Sequence, residues 1–194
     1  MLTIQVAFCL DLNSVGLIWN TEHECKMDAV PQISLNAKII EFEAKYFPLL
    51  IGWIDSDELN YLWGGPQFEY PLTIEQLETH YGQDAPSPYL FVVNDEIVGF
   101  IELFKVSVSE QRLCRVFIHP TYRGKGYASA MLQLAIDKAR ASSGIQTLSL
   151  AVFAHNESAI SCYQKLGFVA YETVSNLRFF KGKNWDLIRM SQSI

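Results

Sequence analysis

The spacing of apolar positions changes several times along the chain, and each change marks an element. Residues 37–44 (AKIIEFEA) alternate as a strand does, and 45–54 (KYFPLLIGWI) carry the wider spacing of a short amphipathic helix. Asp55 or Ser56 can cap a second helix that runs through Trp63 and stops at the Gly-Gly-Pro of 64–66. LTIEQLETHY (72–81) opens with Thr73 and carries Gln76 three residues later, the capping-box spacing of a third helix. YLFVVN (89–94), an Asn94–Asp95 turn and EIVGFIELFKVSV (96–108) predict a hairpin of long strands, and RLCRVFIH (112–119) the next strand. Ala128, Met131, Leu132, Leu134, Ala135, Ile136 and Ala139 then fall on one broad face at helical spacing, ending near Gly144. TLSLAVFA (147–154) predicts a strand. NESAISCYQKLGF (156–168) predicts a short helix capped by Asn156 and stopped at Gly167, and FVAYETV (168–174) and LRFFKGKNWDLIRM (177–190) the final strands. Strand, helices, three strands, helix, strand, helix, strands: this order calls for a mixed sheet covered by helices, α/β or α+β.

The 194 residues suit one domain that buries about two-thirds of its unfolded surface. Regular patterning starts just after Met27, so residues 1–27 are expected to be an N-terminal extension and 28–194 a single domain. No apolar run approaches the ~18 residues a membrane span needs, and the opening segment lacks a cationic stretch and carries Asp11, which makes it a poor secretory signal. Cys9, Cys25, Cys114 and Cys162 are widely spaced, with neither a zinc signature nor a disulfide framework, so a reducing cytoplasm is the expected location. The net charge of −6 is unevenly spread: residues 105–145 carry seven Lys or Arg against two acids, and 22–84 twelve acids against three Lys. The first segment suits an anionic ligand and the second a cationic one. An acidic whole argues against nucleic acid as a partner.

The chemistry gathers at VFIHPTYRGKGYASAMLQLA, 116–135, where a strand runs into a helix through two glycines flanked by cations. No glycine stands five residues before Gly124 or Gly126 and no Ser or Thr follows Lys125, which excludes a Walker loop; Ser129 stands where a dinucleotide-binding turn needs its third glycine, and no acid follows near 144–148. What fits is R-x-x-G-x-A, Arg123-Gly124-Lys125-Gly126-Tyr127-Ala128. Amides at a helix N-terminus suit a pyrophosphate, and small residues let the anion approach the backbone.

A second motif lies downstream: Asn156, Ala159, Tyr163, Lys165, Gly167 and Phe168 in the arrangement N-x-x-A-x-x-x-Y-x-K-x-G-F. With the first motif, and with Ile118-His119-Pro120 before it, this stretch closely resembles the GNAT family of N-acetyltransferases, over roughly residues 36–190. Ala128 stands where many members have glycine. The resemblance implies the acyl-CoA N-acyltransferase fold: a mostly antiparallel central sheet with a splayed parallel pair, flanked by helices. It implies acetyl-CoA as co-substrate, no metal, and transfer of the acetyl group to a primary amine of a small molecule or a peptide by direct attack in a ternary complex, in a monomer or homodimer. The backbone of Phe117, Ile118 and His119 would pair with the pantetheine arm. Arg123, Gly124, Lys125, Gly126, Tyr127, Ala128 and Ser129 would hold the pyrophosphate, and Asn156, Ala159 and Lys165 would complete the coenzyme site. Tyr163 would protonate the departing thiolate, for which a phenol with a pKa near 10 is a reasonable match.

Glu102 shares a strand face with Phe100 and Phe104, a setting that can raise a carboxylate pKa and make it a general base, although deprotonation through water needs no such residue. None of His23, His80, His119 and His155 has a metal-ligand partner at usable spacing, and Cys162 has no neighbouring base. In the family the acceptor site is walled by the early helices, here 45–82, where Asp55, Asp57, Glu58 and Glu69 mix with Trp53, Tyr61, Trp63, Phe68 and Tyr70. Acid with aromatics suits a cationic amine and equally suits an ordinary amphipathic helix pair. The alternative from another class is a non-catalytic module that binds or senses acyl-CoA through the same corner.

Overall fold

The computed structural model describes residues 36–194, and the expected extension over 1–27 lies outside the described residues. The elements are β1 (Ala37–Glu41), α1 (Phe47–Trp53), α2 (Asp57–Gly64), α3 (Ile74–Tyr81), β2 (Pro86–Val93), β3 (Glu96–Lys105), β4 (Glu110–Ile118), α4 (Tyr127–Arg140), β5 (Thr147–Phe153), α5 (Glu157–Lys165), β6 (Val169–Phe180) and β7 (Lys183–Ser193). The seven strands form one sheet in the order β1-β2-β3-β4-β5-β7-β6. Every pairing is antiparallel except β4 with β5. That parallel pair is in register only from Glu110–Thr147 to Leu113–Leu150. Beyond it β4 stays with β3 and β5 stays with β7, so the sheet forks. The mixed sheet with a splayed parallel pair is the expected architecture.

Both faces of the sheet are covered, which explains the almost unbroken apolar run of β3, buried from Val98 to Leu103. On one face Met131, Leu132, Ala135 and Ile136 of α4 pack on Phe91, Ile101, Leu113 and Leu150. On the other, Leu50, Leu59, Trp63 and Leu77 from α1–α3 pack on Leu90, Phe100 and Phe117. The Asn94–Asp95 turn forms as expected, with φ of 49° and 66°, the backbone that suits the twist of a two-residue hairpin.

Two boundaries and one cap differ from the sequence expectation. Residues 177–190 make no single strand: Lys181 and Gly182 adopt φ of 47° and 79° and fold the chain into the β6–β7 hairpin. α4 stops at Arg140 rather than near Gly144, because the Ser142 hydroxyl donates back to the Lys138 carbonyl (3.1 Å) and competes with the helix ladder. At α3 only half of the capping box forms. Thr73 Oγ1 accepts from Gln76 N (3.2 Å), but the Gln76 side chain bonds the backbone of Glu69 (2.8 and 3.1 Å) and Pro71 (3.1 Å), pinning 69–71 to the helix.

Candidate active site

The corner after β4 is built by conformation rather than by side chains. Gly124 and Gly126 both sit at φ +75°, a backbone that side chains rarely adopt, and a Cβ added at either would meet nothing within 4 Å. Gly126 is the N-cap of α4 and contributes no capping side chain to the first turn. This uncapped, unshielded turn fits a diphosphate.

The flanking residues divide into those that brace the corner and those that face outward. Arg123 Nε donates to the Ile118 carbonyl (3.0 Å), its guanidinium lies 5.8 Å from the Phe117 ring centre, and burial lowers its pKa. Lys125 is exposed, with Nζ 5.5 Å from the Tyr122 ring centre. Tyr127 packs edge-on to Phe91, Ala128 is buried, and Ser129 Oγ lies 3.3 Å from Cys162 Sγ on α5. The side chains of Tyr127, Ala128 and Ser129 therefore serve packing, and their amides are what the corner presents. His119 N donates to the Val98 carbonyl (3.0 Å) while its ring packs against Trp53 and Tyr122.

Where β4 and β5 part, a cavity of about 250 Å³ opens, lined by Cys114–Val116, Ala151–Phe153, Asn156 and Tyr163. Asn156 Oδ1 caps α5 by accepting from Ala159 N (3.2 Å), which fixes the residue at the mouth of the fork; Ala159 is buried behind it. Lys165 lies exposed in the last turn of α5 and lines neither the corner nor the fork cavity. Tyr163 is 8% exposed, edge-on to Phe168, and burial pushes its phenol well above the ordinary value. Burial, with the Glu102 carboxylate second, pushes the Cys114 thiol up to about 12, so it stays protonated at neutral pH.

β4 is bulged at the fork. Phe100 faces Phe117 but Glu102 faces Cys114, so β4 carries one extra residue between these pairs. Arg115 takes φ +53° in this bulge, and Trp63 Nε1 donates to its carbonyl (3.1 Å). Glu102 keeps the strand face of Phe100 and Phe104, but its polar partners come from other elements. Fully buried, it accepts from Arg115 Nη1 and lies 3.1 Å from His80 Nε2, behind the cavity wall. His80 and Arg115 carried no signal in the sequence, because their contacts with Glu102 exist only once α3 and the bulge are in place.

The acidic residues of 45–82 are not gathered around the fork. Asp57 pairs with Lys181 (3.3 Å), and this stretch contributes only Leu62, Trp63, Gly64, Gly65 and Pro66 to the cavity. The charged residues that line it are Arg112, Arg115 and Arg178.

Residues 50–168 match the model of the acetyltransferase (GNAT) family. The chain belongs to this family. Among curated GNAT relatives, an uncharacterized N-acetyltransferase, YdgE, of Bacillus subtilis (strain 168) is 33% identical over 106 residues, 52% of this chain and 64% of that protein. Spermidine N(1)-acetyltransferase of Escherichia coli (strain K12) is 29% identical over 114 residues, 58% of this chain and 61% of the relative. The chain thus spans less than two thirds of the length of either relative. In fold it is similar to the crystal structure of spermidine N-acetyltransferase from Vibrio cholerae in complex with CoA and spermine. The TM-score is 0.72 at 19% identity, over 81% of this chain and 95% of that one. Among the described residues no helix is long and apolar enough to cross a membrane, and no group of three or more His, Cys, Asp or Glu is placed to hold a metal ion.

Proposed function

We propose that this protein transfers an acetyl group from acetyl-CoA to the primary amine of a small acceptor. The observation that carries this reading is the continuity of the site along β4. The glycine corner follows the end of the strand, and two residues before that end the strand walls the fork cavity that Tyr163 also lines.

The amides of residues 124–129 hold the diphosphate, with the α4 dipole behind them and Lys125 adding charge from solvent. Phe117–His119 offer backbone to the amide-bearing arm on the side of β4 that β5 has left, as a sheet edge does to an added strand. Asn156 touches the arm within the fork. A backbone N–H of the strand at 116–119 takes the charge that develops on the acyl oxygen.

Tyr163 manages the protons. Because burial raises its pKa, the phenol holds its proton across the neutral range. The attacking nitrogen becomes positive and sheds one proton, while the departing sulfur takes the C–S bonding pair and needs one. Tyr163 hands its proton to sulfur and is refilled from nitrogen, so amide and thiol form with no net change on the protein. Glu102 serves better as a positioning residue than as a base. Arg115 and His80 engage it, and water in the cavity is left to take the ammonium proton of the incoming amine.

The test is thiol release from acetyl-CoA with a panel of amines. Tyr163→Phe is expected to lower kcat by about 10²–10⁴, the range for loss of one general acid, with CoA affinity nearly unchanged. Wild-type protein that binds CoA but acetylates no amine would favour the non-catalytic module instead. A polyamine acceptor is the second reading, favoured by the relative named spermidine N(1)-acetyltransferase.

A further inference from the structure

The acceptor end of the cavity has the wrong sign for a polycation. Arg112 and Arg115 of β4 and Arg178 of β6 line it, and no Asp or Glu does among the described residues. These three residues come from two strands that are not neighbours in the sheet and line a cavity of about 250 Å³. That volume suits a small molecule.

The three are not equally balanced. Arg115 gives Nη1 to Glu102, and its guanidinium lies 5.0 Å from the Phe68 ring centre. Its side chain is 8% exposed, yet Nε is buried with no hydrogen-bond partner. A buried donor without an acceptor is costly, and here it belongs to a residue that lines the cavity. Arg112 Nε reaches Ser149 Oγ (3.4 Å), which itself donates to Glu110 (2.6 Å), so a carboxylate stands one residue away. Arg178 has only the carbonyl of its neighbour Leu177 (3.4 Å), and no carboxylate pairs with it among the described residues. Its placement comes from a second bulge. Val174 faces Leu187 and Arg178 faces Trp185, so β6 carries two extra residues there, and Asp186 Oδ1 braces the loop by accepting from Asn176 N (2.8 Å).

We infer that the acceptor is a small amine that also bears an oxyanion, a carboxylate or a phosphate, which docks on Arg178 beside Arg115 at the mouth of the fork. This deepens the acetyl-transfer reading and rests on it. A planar guanidinium binds either oxyanion through paired N–H donors, and a partly enclosed site strengthens the contact. The same charge repels spermidine.

The experiment compares matched acceptors: an α-amino acid with its α-amide, glucosamine 6-phosphate with glucosamine, and spermidine. The anionic member of at least one pair is expected to have the higher kcat/KM. Arg178→Gln should lower that value about ten- to a hundredfold, the range for removing a charge-assisted hydrogen bond, through KM and only for the anionic member. Arg178→Lys should restore part of it. The pair that responds tells carboxylate from phosphate. Equal rates within both pairs, a preference for spermidine, or an Arg178→Gln effect shared by neutral acceptors would overturn the inference. If no amine is acetylated, acetyl transfer itself fails, and calorimetric titration with inorganic phosphate and with acetate decides the anion site alone. Saturable binding of either that Arg178→Gln abolishes supports the site, and binding that the substitution leaves unchanged, or none, removes it.

Discussion

The two ends of the site are made in opposite ways. The diphosphate corner is local: Gly124 and Gly126 at φ +75° and an uncapped helix start, all within a few consecutive residues. The acceptor trough is assembled from a distance. Glu102 is joined by partners 13 and 22 residues away, and Arg178 is carried in by a strand on the far side of the sheet. In the proposed reaction the corner would work by bare backbone, and the trough by buried charge that is only partly neutralised. A corner built from backbone leaves the side chains at the other end free to be re-aimed by a bulge without touching it.

The largest blow to this division is Glu102→Ala. It leaves Arg115 buried without its carboxylate and is expected to destabilise the fold by about 3–5 kcal/mol in urea melts, as breaking one side of a buried ion pair does. CoA affinity of the protein that remains folded should hold within about twofold; a parallel loss of CoA binding would show the two ends to be coupled.

Alkali should tell them apart next. Burial raises the phenols of Tyr81, close to Glu102, and of Tyr163 in the fork. The unfolded chain loses these protons near pH 10 and the native state keeps them. Their contribution to stability is therefore whole below about pH 10 and falls as pH rises beyond it, by up to ~1.4 kcal/mol per pH unit for each phenol. Urea melts between pH 8 and 11 check this, and Tyr81→Phe should flatten the slope.

The smallest stability change belongs to the corner. Gly126→Val places a branched side chain at φ +75° and is expected to cost about 1–2 kcal/mol, and its Cβ enters the open space where the proposed diphosphate would lie. CoA affinity should therefore fall far more than stability does. Equal losses in both would make Gly126 a purely conformational glycine.

This contrast also sets what the sequence could reveal. R-x-x-G-x-A and the helix-capping Asn156 are legible because their geometry is settled by residues within a turn of each other. The Asn94–Asp95 hairpin is legible for the same reason. Arg115 and Arg178 are silent in one dimension: each depends on a register shift between paired strands, and a bulge leaves no mark in hydrophobic alternation once both faces are buried. Glu102 is visible as an oddity in an apolar strand, but its partners Arg115 and His80 are not, since they reach it only once the bulge and α3 are in place. The acidic helices left two readings open, because a charge-rich segment says nothing about which of its faces looks inward.

One contact bears on the wall of the cavity. Tyr61 of α2 stacks on Phe180 with ring centres 4.5 Å apart and donates to the Phe179 carbonyl (3.2 Å), while Lys181 reaches Asp57. The tip of the last hairpin is thereby fastened to an early helix across the trough. The glycine corner lies some fifty residues before this clasp in the chain, so the wall that Arg178 lends to the cavity depends on a contact far from the corner.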